Sequence, residues 1–173
     1  MNQALDQKLL AQAVDAYSFR GANSLDVSQI VNLYGEFFAE SDWPNRNLVY
    51  DPPRMWAWVF RGITSGNVPH LLAFEKTKGE LVGSICYTLD HNFTTKPFAH
   101  LDKFFVRRKW RRSPVGRVLL TLCLEIARAD GAACFNANAL SGMKEIASLK
   151  NLLIHMGFRE TNGIAMTRNF DDV

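Results

Sequence analysis

The amino-acid sequence predicts an α/β (α+β) fold: one mixed, mostly antiparallel central sheet of six to seven strands, with helices on both faces. Three observations predict it. Apolar residues switch between a helical repeat of about 3.6 residues and a strand repeat of about two, in the order β-α-α-β-β-β-α-β-α-β. Three of those strands follow one another directly in the middle of the chain, a run that suits antiparallel pairing. The helix after them is bracketed by strands, which asks for one parallel step with a right-handed crossover. The chain has 173 residues, 47% apolar and 21% charged, enough for one core. It reads as a single domain over 1–173, with residues 1–15 a helical extension.

Each element has its local reason. Residues 3–14 are amphipathic and predict a short helix, and 16–22 a first strand. Leu25 and Asp26 open a helix whose apolar positions are Val27, Ile30, Val31, Tyr34, Phe37 and Phe38. Residues 42–53 are turn-rich and aromatic; 54–64 form a second helix ended by Ser65-Gly66. A hairpin follows, with strands over 70–76 and 80–89 and its turn at 77–79. Residues 90–97 are a polar loop, 98–106 a strand and 107–112 a cationic loop. Ser113-Pro114 starts the longest helix, Ser113 accepting from a free amide and Pro114 tolerated at the first helical position. Its buried stripe is Val115, Val118, Leu119, Leu122 and Ile126, and Gly131 ends it. A short buried strand (132–139) and a helix (141–156, with Ile146, Leu149, Leu153 and Met156 inward) precede Gly157; 158–170 supply one or two last strands.

Composition excludes some functions. No window holds about 18 consecutive apolar residues, so no membrane-spanning helix is expected. The N-terminus lacks the charged-then-apolar layout of a secretory leader. Cys86, Cys123 and Cys134 have no metal-ligand spacing and read as reduced, mostly buried thiols of a cytoplasmic protein that carries no metal. The net charge of +3 is local: Lys103, Arg107, Arg108, Lys109, Arg111, Arg112 and Arg117 lie in a stretch with no acid, and the remainder is net −4. One cationic segment on a slightly acidic body wants a local anion, and phosphate suits it.

That segment, LDKFFVRRKWRRSPVGRVLL (101–120), runs from a strand through a basic loop into a helix N-terminus. First-turn amides have no intrahelical partners and the helix dipole favours negative charge, so the helix start is an anion site. Gly116 lets backbone approach a phosphate closely, and Arg111 and Arg112 add charge-assisted contacts. Val106, four residues, Arg111, two residues, then Pro114-Val115-Gly116 resembles the central motif of the GNAT superfamily of N-acetyltransferases. NLLIHMGF, with Gly157-Phe158, resembles a second signature of that superfamily, and Ser18 to Ala22 its opening strand. The resemblance covers roughly 17–170.

The resemblance implies a coenzyme A pocket. Arg111, Arg112, Ser113, Val115, Gly116 and Arg117 would hold the pyrophosphate, and Phe104, Phe105 and Val106 would pair with the pantetheine arm as an added strand. The arm would lie in a V-shaped gap between strands 98–106 and 132–139, with Asn138 as a further contact. It also implies a base at His100, sixteen residues before Gly116, or at Asp102, both on one strand face. His100 would take the proton of an amine that attacks the thioester directly, Asp102 accepting a proton itself or holding the imidazole. Backbone amides near Phe105 would polarise the carbonyl. Two positions depart from the pattern: Pro114 stands at a usual glycine, and Leu153 where many members carry the tyrosine that protonates the departing thiolate. His155 is the nearest alternative on that helix.

The expected activity is acetyl transfer from acetyl-CoA to an unknown amine of a small molecule or a protein. The alternatives are a catalytically degenerate relative that binds coenzyme A or acts as an interaction module, and nucleic-acid binding through 107–112 with Trp110 stacking on a base. The short patch on a net acidic body argues against the last. Trp43, Trp56, Trp58 and Phe60 are candidates for an acceptor pocket or for core. No membrane partner is expected, and a homodimer is compatible with the sequence.

Overall fold

Strands alternate their side chains between two faces, and here both faces are covered, so consecutive residues enter different cores. The structure, a computed structural model, describes residues 13–91, 95–137 and 146–159. In chain order it has β1 (Tyr17–Gly21), α1 (Val27–Glu40), α2 (Pro52–Ser65), β2 (His70–Glu75), β3 (Glu80–Asp90), β4 (Phe98–Val106), α3 (Val115–Ala129), β5 (Phe135–Ala137) and α4 (Ile146–His155). Short 3-10 turns occupy Ser24–Asp26, Pro44–Arg46 and Arg108–Trp110. The sheet order is β1-β2-β3-β4-β5, antiparallel throughout except for the parallel β4–β5 pair. Five of the expected six to seven strands thus lie among the described residues. The strands expected over 158–170, and the N-terminal helix apart from the helical residues 13–16, fall largely outside them.

On one face Leu71, Ala73, Val82, Ile85 and Val106 meet Val115, Leu119 and Cys123 of α3, with Leu153 of α4 in the same cluster. On the other, Leu72, Phe74, Leu81 and Phe105 meet Val27, Ile30, Leu33 and Tyr34 of α1 and Val59 of α2. Each large aliphatic side chain so enclosed contributes about 1.5–3 kcal/mol before the entropy of ordering is subtracted.

Three expectations change in detail. α2 begins at Pro52 instead of residue 54, because Asp51 caps it by accepting from the Arg54 amide at 2.9 Å and proline is tolerated in a first turn. Gly66, at φ +72°, ends it as expected. In α3 the deep row is Val115, Leu119, Cys123 and Ala127 with Val118 and Leu120; Leu122 and Ile126 are only partly buried. The four-residue ridge faces the sheet centre and turns the other two toward its margin. Cys134 is exposed, whereas Cys86 and Cys123 are buried, and burial pushes each of those thiols up to about 12. No helix among the described residues is long and apolar enough to cross a membrane.

The feature that shapes the site is a bulge. Lys103 lies opposite Cys86 and Leu101 opposite Tyr87, so Asp102 is an extra residue in β4. Bulges bend a strand and re-aim side chains next to functional sites.

Candidate functional site

Among the described residues, β4 and β5 pair where Ala99, His100 and Leu101 face Phe135, Asn136 and Ala137. Two loop bonds continue the zip below, Ala99 N–H to Cys134 O at 2.9 Å and Ala133 N–H to Pro97 O at 2.8 Å. Among the described residues, no pairing to β5 continues from the Asp102 bulge to Val106. The described pairing ends one residue before the Asp102 bulge, and residues 138–145, which follow β5, lie outside the described residues. Asn138, an expected contact of the pantetheine arm, is among them.

The C-terminal end of β4 leads straight into the expected anion site. Arg107 donates its amide to Val82 O at 2.9 Å, a 3-10 turn follows, and α3 starts at Val115 with Pro114 as the capping residue, one position later than expected. Ser113 donates to Trp110 O at 2.6 Å, and its hydroxyl oxygen accepts from Val115 N–H at a long 3.4 Å. The first helical bond is Val118 N–H to Pro114 O at 3.0 Å, so the amides of Val115, Gly116 and Arg117 precede the ladder at the positive end of the helix dipole. By contrast, the amides of Arg111 and Ser113 are used within the turn, on Arg108 O and Trp110 O. A Cβ at Gly116 would meet Phe104 at 3.4 Å and Val106 at 3.6 Å, ordinary van der Waals contacts.

Five of the seven cations divide into two sets. Arg108, Lys109 and Arg112 are exposed around the loop. Arg107 forks onto Glu36 (Nη2–Oε1 2.7 Å, Nε–Oε2 2.8 Å) and reaches Glu80 at 2.7 Å. Arg111 donates through Nε to Val106 O at 2.9 Å, pairs with Glu40, and lies 5.2 Å over the Phe105 ring. Thus two arginines of the cationic stretch are bound to carboxylates of α1 and β3. Trp110 is packed against the α3 core and covered by the Lys109 ammonium 4.7 Å from its ring centre, which removes the free indole face that base stacking requires.

The face of β4 toward α1 and α2 carries the proton-handling candidates. His100 is half-buried, its ring edge-on to Phe98 at 4.9 Å, between Thr88 on one side and Asn136 on the other. Asp102 sits at the bulge, and its charge is felt by the Tyr34 hydroxyl and the Cys86 thiol, whose pKa values are raised first by burial and further by that carboxylate. Lys103 donates to Asp102 O at 3.3 Å and lies 5.3 Å from the Trp58 ring centre. Behind them is a buried polar group that the sequence reading did not single out. The Tyr34 hydroxyl lies 3.7 Å from Cys86 Sγ, and His70 Nδ1 donates to Val68 O at 2.8 Å. Among the described residues, His70 Nε2 and Ser84 Oγ have no hydrogen-bond partner. Burial, and secondarily the Lys103 charge, drops His70 to about 4, so it is neutral near pH 7. Strand parity was the available signal: His70 alternates with Leu72 and Phe74, and Ser84 with Cys86, on one face.

α4 brings no proton donor from its expected position. Leu153 is buried in the α3 core, and His155 is exposed with Nδ1 bonded to Asn151 O of its own helix at 3.0 Å. Trp58 faces the site, whereas Trp56 and Phe60 stack at 4.9 Å on the exposed side of α2, and Trp43 packs on Phe37 and Phe38. A cavity of about 360 Å³ at the other end of α3, lined by Ala127, Arg128, Cys134, Phe135, Met156 and Phe158 among others, contains none of the expected site residues.

Against known proteins, a family model described as "Acetyltransferase (GNAT) family" matches residues 29–142, well over half of the chain. No curated protein matches. Solved structures share the fold at low identity. An acetyltransferase with acetyl-CoA from Clostridium acetobutylicum is 9% identical, with TM-score 0.70 over 88% of this chain and 96% of that one. The aminoglycoside N-acetyltransferase AAC(6')-Iy in complex with CoA is 16% identical, with TM-score 0.70 over 89% and 95%. A ribosomal-protein-alanine N-acetyltransferase from Brucella melitensis biovar Abortus 2308 is 13% identical, with TM-score 0.67 over 90% and 99%.

Proposed function

Because this chain belongs to the acetyltransferase (GNAT) family, we propose that it is an N-acetyltransferase, one domain over 1–173, which passes the acetyl group of acetyl-CoA directly to an amine of a small molecule or protein. The observation that carries this reading is the coincidence of two features: a bulge at Asp102 that bends β4, and a cationic loop and α3 N-terminus directly at the end of that strand, where the Val115, Gly116 and Arg117 amides precede the helical ladder. A diphosphate bound to an extended thioester arm needs both, and the residues present fit it. Val115, Gly116 and Arg117 offer amides, Arg112 and Ser113 flank them, and Arg111 shapes the loop. Phe104, Phe105 and Val106 would pair with the arm as an added strand, with Asn138 as a further proposed contact.

Bound acetyl-CoA supplies an activated acetyl thioester. His100 accepts a proton from the acceptor amine, Asp102 holds a negative charge beside it, and amides near Phe105 polarise the carbonyl. A tyrosine on α4 is dispensable in this scheme, because thiols ionise near pH ~8.5 and a thiolate can depart without an acid. Reduced Cys86 and Cys123, buried in the core, suit a cytoplasmic protein.

One observation favours a second reading: with Leu153 in the core, the fold serves equally a relative that binds coenzyme A without turnover. A single experiment separates the two. Wild-type protein should release free thiol from acetyl-CoA in the presence of suitable members of an amine panel, above the amine-free rate. Gly116→Ala should raise KM for acetyl-CoA about tenfold with melting temperature unchanged or higher, since alanine is the better helix former by about 1 kcal/mol and its methyl meets only ordinary contacts. Binding without amine-dependent thiol release would establish the second reading; an unchanged KM in Gly116→Ala would remove Gly116 from the cradle.

A further inference from the structure

We propose that Glu36 and Glu40 are positioning residues that hold the diphosphate loop in its binding shape, a role that rests on the reading of that loop given above. The two carboxylates lie four residues apart and so share one face of α1. Their partners, Arg107 and Arg111, are also four apart and bracket the 3-10 turn Arg108–Trp110. Both ends of the turn are therefore tied to one helix face.

The ties are specific. The Glu36–Arg107 contact is a two-bond fork, and Glu80 takes a third guanidinium bond from the same arginine. Arg111 is held at three points, by Glu40, by Val106 O and by the Phe105 ring, and Phe105 in turn meets Phe37 of α1 edge-on at 5.6 Å. Both arginine side chains are largely enclosed, at 22% and 20% exposure. Three carboxylates around two guanidinium groups leave these arginines little attraction for a ligand anion. Their contribution is geometric. They fix the segment between Val106 and the α3 cap, so that Arg108 and Lys109 project outward and the amides of Val115, Gly116 and Arg117 are preset. A preset loop avoids the ordering cost that a mobile one meets on binding.

The test uses the full chain with Glu36→Gln, Glu40→Gln, the double variant and Glu40→Asp. Acetyl-CoA Kd is measured by calorimetry, and kcat and both KM values by thiol release. We expect each single amide variant to raise Kd and KM for acetyl-CoA about threefold and the double about tenfold. The values of kcat and KM for the amine should stay within about twofold, and Glu40→Asp should recover part of the loss. A merely structural pair would lower the melting temperature without this split. Unchanged Kd in the folded single variants overturns the proposal even if the double variant fails to fold. A lowered Kd also overturns it, because the carboxylates would then be withholding the arginines from the ligand. Wild-type protein that fails to bind acetyl-CoA sinks the functional reading and this proposal together; wild-type binding with indifferent variants sinks this one alone.

Discussion

Replacing His100 with alanine should lower kcat for acetyl transfer about 100-fold or more near neutral pH, with acetyl-CoA affinity within about twofold of wild type. A positioned general base contributes roughly 10²–10⁴-fold, and the loss falls on turnover because His100 lies away from the diphosphate loop. The imidazole is half-buried, meets Phe98 edge-on, and stands on the α1 and α2 face two residues before the Asp102 bulge. Added imidazole should restore part of the activity of the alanine variant. Asp102→Asn should cost about tenfold, as loss of a charge beside the reaction and not of the proton acceptor. If His100→Ala keeps full turnover while Asp102→Asn loses 100-fold, the two roles are exchanged; if both keep it, neither group handles the proton.

Acid should weaken the fold through His70. The folded protein holds this imidazole neutral down to about 4, because it is buried and faces Lys103, whereas the unfolded chain protonates it near pH ~6.5. Between those values the unfolded state binds the extra proton, so stability falls as pH falls from about 6.5 toward 4 and is fully present above that window. The gap corresponds to a loss on the order of 3 kcal/mol at pH 4. Urea unfolding of wild type and of His70→Asn at pH 7 and at pH 4 checks it. The asparagine amide keeps a donor for Val68 O but cannot titrate, so the variant should lose about 3 kcal/mol less over the window. Equal losses would show that other groups carry the acid sensitivity.

Much of the architecture was legible because it is local. The hairpin strands match to within one residue and β4 at both ends, since a two-residue alternation flanked by Thr77–Gly79 and Pro97 leaves little choice. α2 was started late because Pro52-Pro53 looks like a breaker until Asp51 is seen to cap it. What decides the site is less local. The bend of β4 comes from one extra residue at Asp102, and a bulge leaves no mark in a period-two pattern. The cationic stretch was correctly located, but Arg107 and Arg111 find their carboxylates 71 residues earlier in the chain, a pairing that spacing cannot reveal. Tyr34 counted only as a helix core position, and His70 and Cys86 only as strand residues. Register alone brings them to the Lys103 end of β4, under the face that carries His100 and Asp102.

The most direct test of the central claim is thermal unfolding of the wild-type chain with and without acetyl-CoA. A ligand at about 100 times its Kd stabilises the folded state by about 2.7 kcal/mol, which for a chain of this length is a rise of roughly 5–10 °C. A rise of that size is predicted for the wild type, and a smaller one at the same ligand concentration for Gly116→Ala. An unchanged melting temperature at millimolar acetyl-CoA would contradict a diphosphate and thioester site at the mouth of α3.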